Sequence, residues 1–189
     1  MVSRLSSRVF LGDEVCRDEK WLAITKSYTV LAFGAATSIR DYPSWARPIV
    51  HWFDPLCSQL RQQVRDAADI IKPVLQARRD IKRQAVIEKR PIPAFNDAID
   101  WFEQESRDPY DAVGMQLGLS IVAIHTTTDL VLEALSRIAA DEQLLLDLRQ
   151  EAISVLGSEG WQKSALVNLK LLDSVLKETQ RLKPITSGT

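Results

Sequence analysis

From Tyr110 to about Ala140 the sequence keeps a helical pattern without a break, and from Ala112 to Thr128 it carries no formal charge. A helix of that length, rising about 1.5 Å per residue, runs roughly 45 Å and can cross a whole domain. Its middle is apolar nearly all round, with Leu117, Leu119, Ile121, Val122, Ala123 and Ile124 in close succession. Such a helix is expected to be enclosed by others rather than to lie on a surface. Gln116, Ser120, His125 and three threonines interrupt the apolar run, which favours a buried helix over a membrane span.

The rest of the chain is expected to supply that enclosure as helices. No stretch shows sustained alternation of β-branched residues, and glycine and proline are sparse. A first helix is expected over Val2 to Phe10, ending near Gly12, with Asp13 capping the next. That next helix carries Trp21, Leu22, Ile24 and the apolar residues through Phe33, and stops before Asp41-Tyr42-Pro43. Asp54-Pro55 opens another helix, with a seam of Phe53, Cys57, Leu60, Val64, Ala67, Ile71 and Val74. Pro73 sits late in that seam, and Arg78, Arg79, Lys82 and Arg83 form a basic, solvated face. Asn96 is expected to cap a short helix with Trp101 and Phe102, and Asp108-Pro109 to open the long one. Asp141 and Glu142 begin a helix with a seam of Leu145, Leu148, Ala152 and Val155, closed by Gly157. A last helix places Ala165, Leu169, Leu172 and Leu176 on one face and stops before Pro184.

The 189 residues are enough for one domain with a core. A net charge of −1 gives no electrostatic pull toward nucleic acid or an acidic membrane. Cys16 and Cys57 match neither a disulfide framework nor a metal-ligand spacing. The start has no apolar stretch of signal-peptide length, so no membrane segment is expected and the chain as given reads as cytoplasmic.

Two places stand out, and the first breaks a local rule. His125-Thr126-Thr127-Thr128 puts three modest helix formers at the centre of the long helix, where their hydroxyls can bond back to carbonyls one turn earlier. Glu178-Thr179-Gln180-Arg181 puts an acid and a base three apart on one helical face. Taken singly, the first is explained by internal hydrogen bonds and the second by a solvated helix end.

In this order and spacing the two resemble signature elements of the cytochrome P450 family. The long helix looks like the family's I helix, with Ala123, His125 and Thr126 where a small residue, an acid and a threonine usually stand. Ile124-His125-Thr126-Thr127 looks like the variant of fungal members related to ent-kaurene oxidase. Glu178-x-x-Arg181, within Leu-Lys-Glu-Thr-Gln-Arg-Leu-Lys-Pro, resembles the K-helix motif, and Leu144 to Glu151 resembles the J helix. Ser7 to Gly12 and Cys16 to Trp21 resemble the E and F region. The resemblance implies an all-α fold: the central portion of the cytochrome P450 fold, helices E to K, as a partial domain over residues 1–189.

It further implies a haem-thiolate monooxygenase that hydroxylates a small apolar substrate such as a secondary metabolite. Its partner would be an NADPH-dependent reductase, and full-length relatives would sit at the endoplasmic reticulum membrane. By this resemblance Thr126 handles oxygen and protons, His125 stands at the acid position, and Ala123 and Thr127 lie on the haem and substrate face. Glu178 and Arg181 are structural. The family's cysteine loop is not found in these residues, so no axial iron ligand is assigned and the chain alone is expected to hold haem weakly and to be inactive. A different class of reading is a free-standing helical interaction or scaffold protein, with the seam from Phe53 to Val74 meeting a partner helix.

Overall fold

The structure, a computed structural model, describes residues 1–106 and 110–184. Among the described residues there are nine helices and no strand. They are α1 (Val2–Val15), α2 (Glu19–Arg40), α3 (Arg47–Phe53), α4 (Pro55–Ile87), α5 (Ala98–Glu105), α6 (Ala112–Ala140), α7 (Glu142–Glu159), α8 (Lys163–Asn168) and α9 (Lys170–Leu182). The chain divides into two compact units, Met1–Ile124 and His125–Thr189.

The first unit is built on α2 packed against α4, with α1 and α5 alongside. Its core holds Leu11, Val15, Trp21, Leu22, Ala67, Ile71, Ile99 and Leu117. Trp21 is fully buried, and its indole N–H donates to the Ser7 hydroxyl at 2.9 Å, so the ring is fixed at both its apolar body and its polar tip. The helix starts follow their capping chemistry: Asp18 accepts from the Trp21 amide and Asp54 from the Cys57 amide. The first of these corrects the expectation for Asp13, since the chain bends at Gly12 within α1 and begins its next long helix at Glu19, six residues after Asp13. Asp97, not Asn96, caps α5, accepting from the Asp100 amide. Phe53 is 83% exposed and lies outside the seam assigned to it, because it is the last residue of α3 and α4 begins only after Asp54.

The largest correction concerns Arg78. It lies on α4 with 3% of its side chain exposed, not on a solvated basic face. Its guanidinium donates to Asp97 at 2.9 and 2.7 Å, to Glu14 at 2.6 Å and to the Leu11 carbonyl at 3.3 Å, and it lies 4.4 Å from the centre of the Phe95 ring. One residue thus joins α1, α4 and the start of α5. Gly12 stands against this cluster with φ +73°, and a Cβ there would come within 2.6 Å of Asp97 Oδ2 and 2.8 Å of Arg78 Nη2. Lys82 pairs with the buried Asp100, whose carboxylate also accepts from the Phe95 amide at 3.0 Å and from Gln104 at 2.8 Å.

In the second unit α7 packs against α8 and α9. Asp141 caps α7 as expected, accepting from the Leu144 amide. The helix passes through Gly157 and ends at Gly160, whose φ of +72° suits a residue without a Cβ. The expected single last helix is two, broken at Leu169 (φ −78°, ψ 68°). The break is stabilised from α7: the Glu151 carboxylate accepts from the Leu171 amide at 2.6 Å and the Leu172 amide at 3.0 Å, two of the unpaired N–H groups that open α9.

α6 starts at Ala112, with Asp111 accepting from the Gly114 amide, two residues later than expected. Asp108 and Pro109 lie outside the described residues. The helix is not enclosed in this structure: Val122, Leu132 and Leu135 are 66%, 63% and 58% exposed. It is the described helix whose length and composition would suffice to cross a membrane, although Asp129, Glu133 and Arg137 charge its second half.

Breaking a buried ion pair from one side leaves its partner charge stranded. Arg78→Met is therefore expected to cost about 3–5 kcal/mol in urea unfolding, whereas Arg83→Met, on the same helix but exposed, should change stability by less than about 0.5 kcal/mol. Glu14 adds a pH signature. The hydrogen bond from Arg78 holds its carboxyl below the ordinary value of 4.5, outweighing the burial that would raise it. A depressed folded value contributes stability above the unfolded value, and that contribution is lost as pH falls through the folded one. Unfolding free energies of the wild type and Glu14→Gln should therefore differ most near neutral pH and converge as pH falls below the ordinary value of 4.5 and through the depressed folded one.

Candidate functional site

The middle of α6 carries the residues singled out in the sequence. Ala123 is half-buried in the first unit. In the second unit His125 and Thr126 are half-buried and Thr127 is exposed. Thr126 and Thr128 both have interaction partners. His125 differs: its Nε2 is buried without a hydrogen-bond partner. An imidazole with a free ring nitrogen can accept or pass a proton, which a fully bonded core histidine cannot.

The end of α9 lies against α6 just beyond this stretch. Lys183 places its ammonium 3.2 Å from Asp129 and 3.2 Å from Glu133, and Arg137 pairs with Glu133 at 2.8 Å. Asp129 is three residues past Thr126. The structure therefore ties the end of the helix bearing the Glu-x-x-Arg motif to α6 within about one turn of the threonine. Glu178 and Arg181 themselves form a two-pronged pair, with Nε to Oε2 at 2.7 Å and Nη2 to Oε1 at 2.6 Å. The bond from Arg181 lowers the Glu178 carboxyl's pKa, and the bond to Glu178 raises that of Arg181. Both side chains are exposed, while Thr179 between them is buried and its hydroxyl bonds back to the Val175 carbonyl at 2.7 Å.

Two residues of this arrangement were not assigned from the sequence. Lys183 was noted only as part of the flanking run, and its carboxylate partners on α6 are 50 and 54 residues away. Glu151 lay inside the J-like stretch. No local pattern marks either, since both act on a helix other than their own.

The amino-acid comparisons bear on this geometry. The cytochrome P450 family profile matches residues 10–189. This chain belongs to the cytochrome P450 family. It is 45% identical over 189 residues to cytochrome P450 monooxygenase 2 of Gibberella fujikuroi, covering 97% of this chain and 39% of that protein. It is 46% identical to cytochrome P450 monooxygenase eqxH of Fusarium heterosporum, covering 100% and 36% respectively. With cytochrome P450 monooxygenase hepE of Aspergillus oryzae the identity is 47%, covering 98% and 34%. The chain thus spans well under half the length of these relatives. No solved structure matches.

The family implies haem, and the iron of a haem-thiolate protein needs an ionised cysteine. The residues present do not fit that requirement. Cys16 is buried at the end of α1 and its thiol donates to the Asp13 carbonyl at 3.6 Å. Cys57 is buried in the first turn of α4, and burial, followed by its hydrogen bond to Asp54, pushes its thiol up and away from ionisation. Among the described residues no three His, Cys, Asp or Glu side chains gather as a metal site.

The Glu151 cap makes a local test. Glu151→Ala removes the acceptor for two amides and is expected to cost about 0.5–2 kcal/mol, as loss of a helix cap does. Hydrogen exchange should quicken at the amides opening α9 and stay unchanged in α2 and α4.

Proposed function

We propose that these residues form the oxygen-handling wall of a haem-thiolate monooxygenase that hydroxylates a small apolar substrate, with residues 1–189 forming part of one cytochrome P450 domain. The observation that carries this is that His125, next to Thr126 in α6, has its Nε2 buried and unpartnered, in a chain of this family. A hydroxyl and a free ring nitrogen on consecutive residues are the parts a short proton relay needs. Thr126 is the hydrogen-bonding and proton-passing residue, and His125 replenishes it in place of the usual acid. Ala123 leaves room on the substrate side, and Thr127 adds a second hydroxyl nearby.

Haem, when bound, supplies the oxidising chemistry; these residues supply hydrogen bonds and protons. Glu178 and Arg181 set the end of α9, and Lys183 links that end to α6. Because neither cysteine here suits ligation, the 189 residues by themselves have no monooxygenase turnover. The wider protein draws electrons from an NADPH-dependent reductase and works at the endoplasmic reticulum membrane.

A graft tests the assignment. Residues 1–189 replace the matching segment of the Gibberella fujikuroi relative, and product formed per NADPH consumed is measured as a function of pH. Thr126→Ala should keep the haem absorption spectrum and lower that ratio by about tenfold or more, within the range of lost proton-transfer catalysis. His125→Phe should also keep the haem absorption spectrum and lower that ratio. An unchanged ratio in both variants contradicts the proposal.

A further inference from the structure

Four charges meet where α6 and the end of α9 come together in the second unit: Asp129, Glu133, Arg137 and Lys183. The first three stand three, seven and eleven residues past Thr126, a spacing that puts them on the same face of the helix as the threonine. Glu133 pairs with Arg137 at 2.8 Å, one turn along α6. Asp129 meets its cation on α9, since the Lys183 ammonium lies 3.2 Å from Asp129 and 3.2 Å from Glu133. Two carboxylates four residues apart on one helix repel each other. Here the charge that offsets Asp129 comes from 54 residues away.

Lys183 is fixed from its own side as well. Its amide donates to the carbonyl of the buried Thr179 at 3.0 Å, which closes α9. Its backbone leaves the helix there (φ −135°, ψ 81°), as a residue before proline does. Glu151 holds the other end of α9. The facing of the two helices extends beyond the lysine. The bond from Arg181 lowers the Glu178 carboxyl most, and the Arg137 charge on α6 adds to that lowering.

The middle of α6 needs such a hold. His125 to Thr128 are modest helix formers, and threonine hydroxyls compete for the helix's own carbonyls. The repelling pair Asp129 and Glu133 follows at once. In a stretch this weak, tertiary contacts decide more than local propensity where the helix runs. Asp129 is roughly 4.5 Å along the axis from Thr126, so what holds one holds the other.

We infer that Lys183 is a positioning residue: by bridging Asp129 and Glu133 it holds the turn of α6 that bears Thr126 against the end of the helix carrying Glu178 and Arg181. The inference rests on the proton-passing role proposed for Thr126. Lys183 touches no reacting atom and acts through where the threonine hydroxyl stands. Proton transfer needs donor and acceptor about 2.6–3.2 Å apart. A turn of helix that drifts from its place therefore passes protons less well while haem still binds.

The graft into the Gibberella fujikuroi relative tests this, with product per NADPH and the reduced carbon monoxide spectrum measured together. Lys183→Met and Asp129→Asn should each keep the spectrum and lower the product ratio about threefold, the scale of a solvent-facing ion network. The double variant should be no worse than the poorer single one, because residues acting as one contact are not additive. Lys183→Arg, which keeps the charge and the reach, should restore most of the ratio. Thr126→Ala separates the two readings. If it lowers the ratio and Lys183→Met does not, the positioning role is overturned and the relay stands. If Thr126→Ala itself changes nothing, the relay fails and the positioning role fails with it. Loss of the haem spectrum with an unchanged ratio in the molecules that keep it would make the contact purely structural and overturn the inference. Additive losses in the double variant, or a Lys183→Arg variant as poor as Lys183→Met, would overturn it too.

Discussion

Arg78 is a full positive charge buried at 3% exposure, and the first unit is arranged around the need to neutralise it. A lone ion in that position would be costlier than the fold could tolerate. Asp97 answers it while capping α5, Glu14 answers it from α1, and the Leu11 carbonyl accepts a further hydrogen bond. The same demand explains Gly12. The carboxylate and guanidinium approach so closely that no side chain fits, and the chain turns there through a left-handed conformation. The apolar contacts of Leu11, Trp21, Ile71 and Ile99 give the unit its mass of burial, and the ion cluster fixes which helix ends meet.

The second unit uses the same device more openly. Glu151 closes the start of α9, and Lys183 fastens its end to Asp129 and Glu133 on α6. Between those two fixings sit Glu178 and Arg181. Their pair is complete and solvent-facing, so it adds little to stability. The buried work at that position falls to Thr179.

Much of this was legible in the sequence, and the failures have a common cause. The capping aspartates at Asp54 and Asp141 and the stop before Pro43 follow from local chemistry, and the structure shows them. Asp97 was missed for Asn96 because adjacent polar residues compete for one cap, and Asp18 for Asp13 because α1 runs on past its bend at Gly12 to Val15. Arg78 was placed on a solvated face because its neighbours Arg79 and Arg83 are exposed. Only Glu14 and Asp97, 64 and 19 residues away, reveal that it is buried. The α6 pattern predicted a helix and delivered one, but not its enclosure: Val122 and Leu132 face solvent in this structure. Hydrophobic periodicity specifies which face seeks cover and says nothing of what provides it. The His125-Thr126 pair was visible as a broken local rule; that the imidazole nitrogen stands unpartnered was not.

This cytochrome P450 segment carries two buried thiols, Cys16 and Cys57, that are unsuited to the iron. Titrating haem into the 189-residue chain, reducing it and adding carbon monoxide reads that claim directly, because a thiolate-ligated haem gives a distinctive red-shifted carbon monoxide band. The account predicts that no such band forms at any haem ratio. A thiolate band that vanishes with Cys57→Ser or Cys16→Ser would contradict it, since one of the two buried thiols would then be an iron ligand.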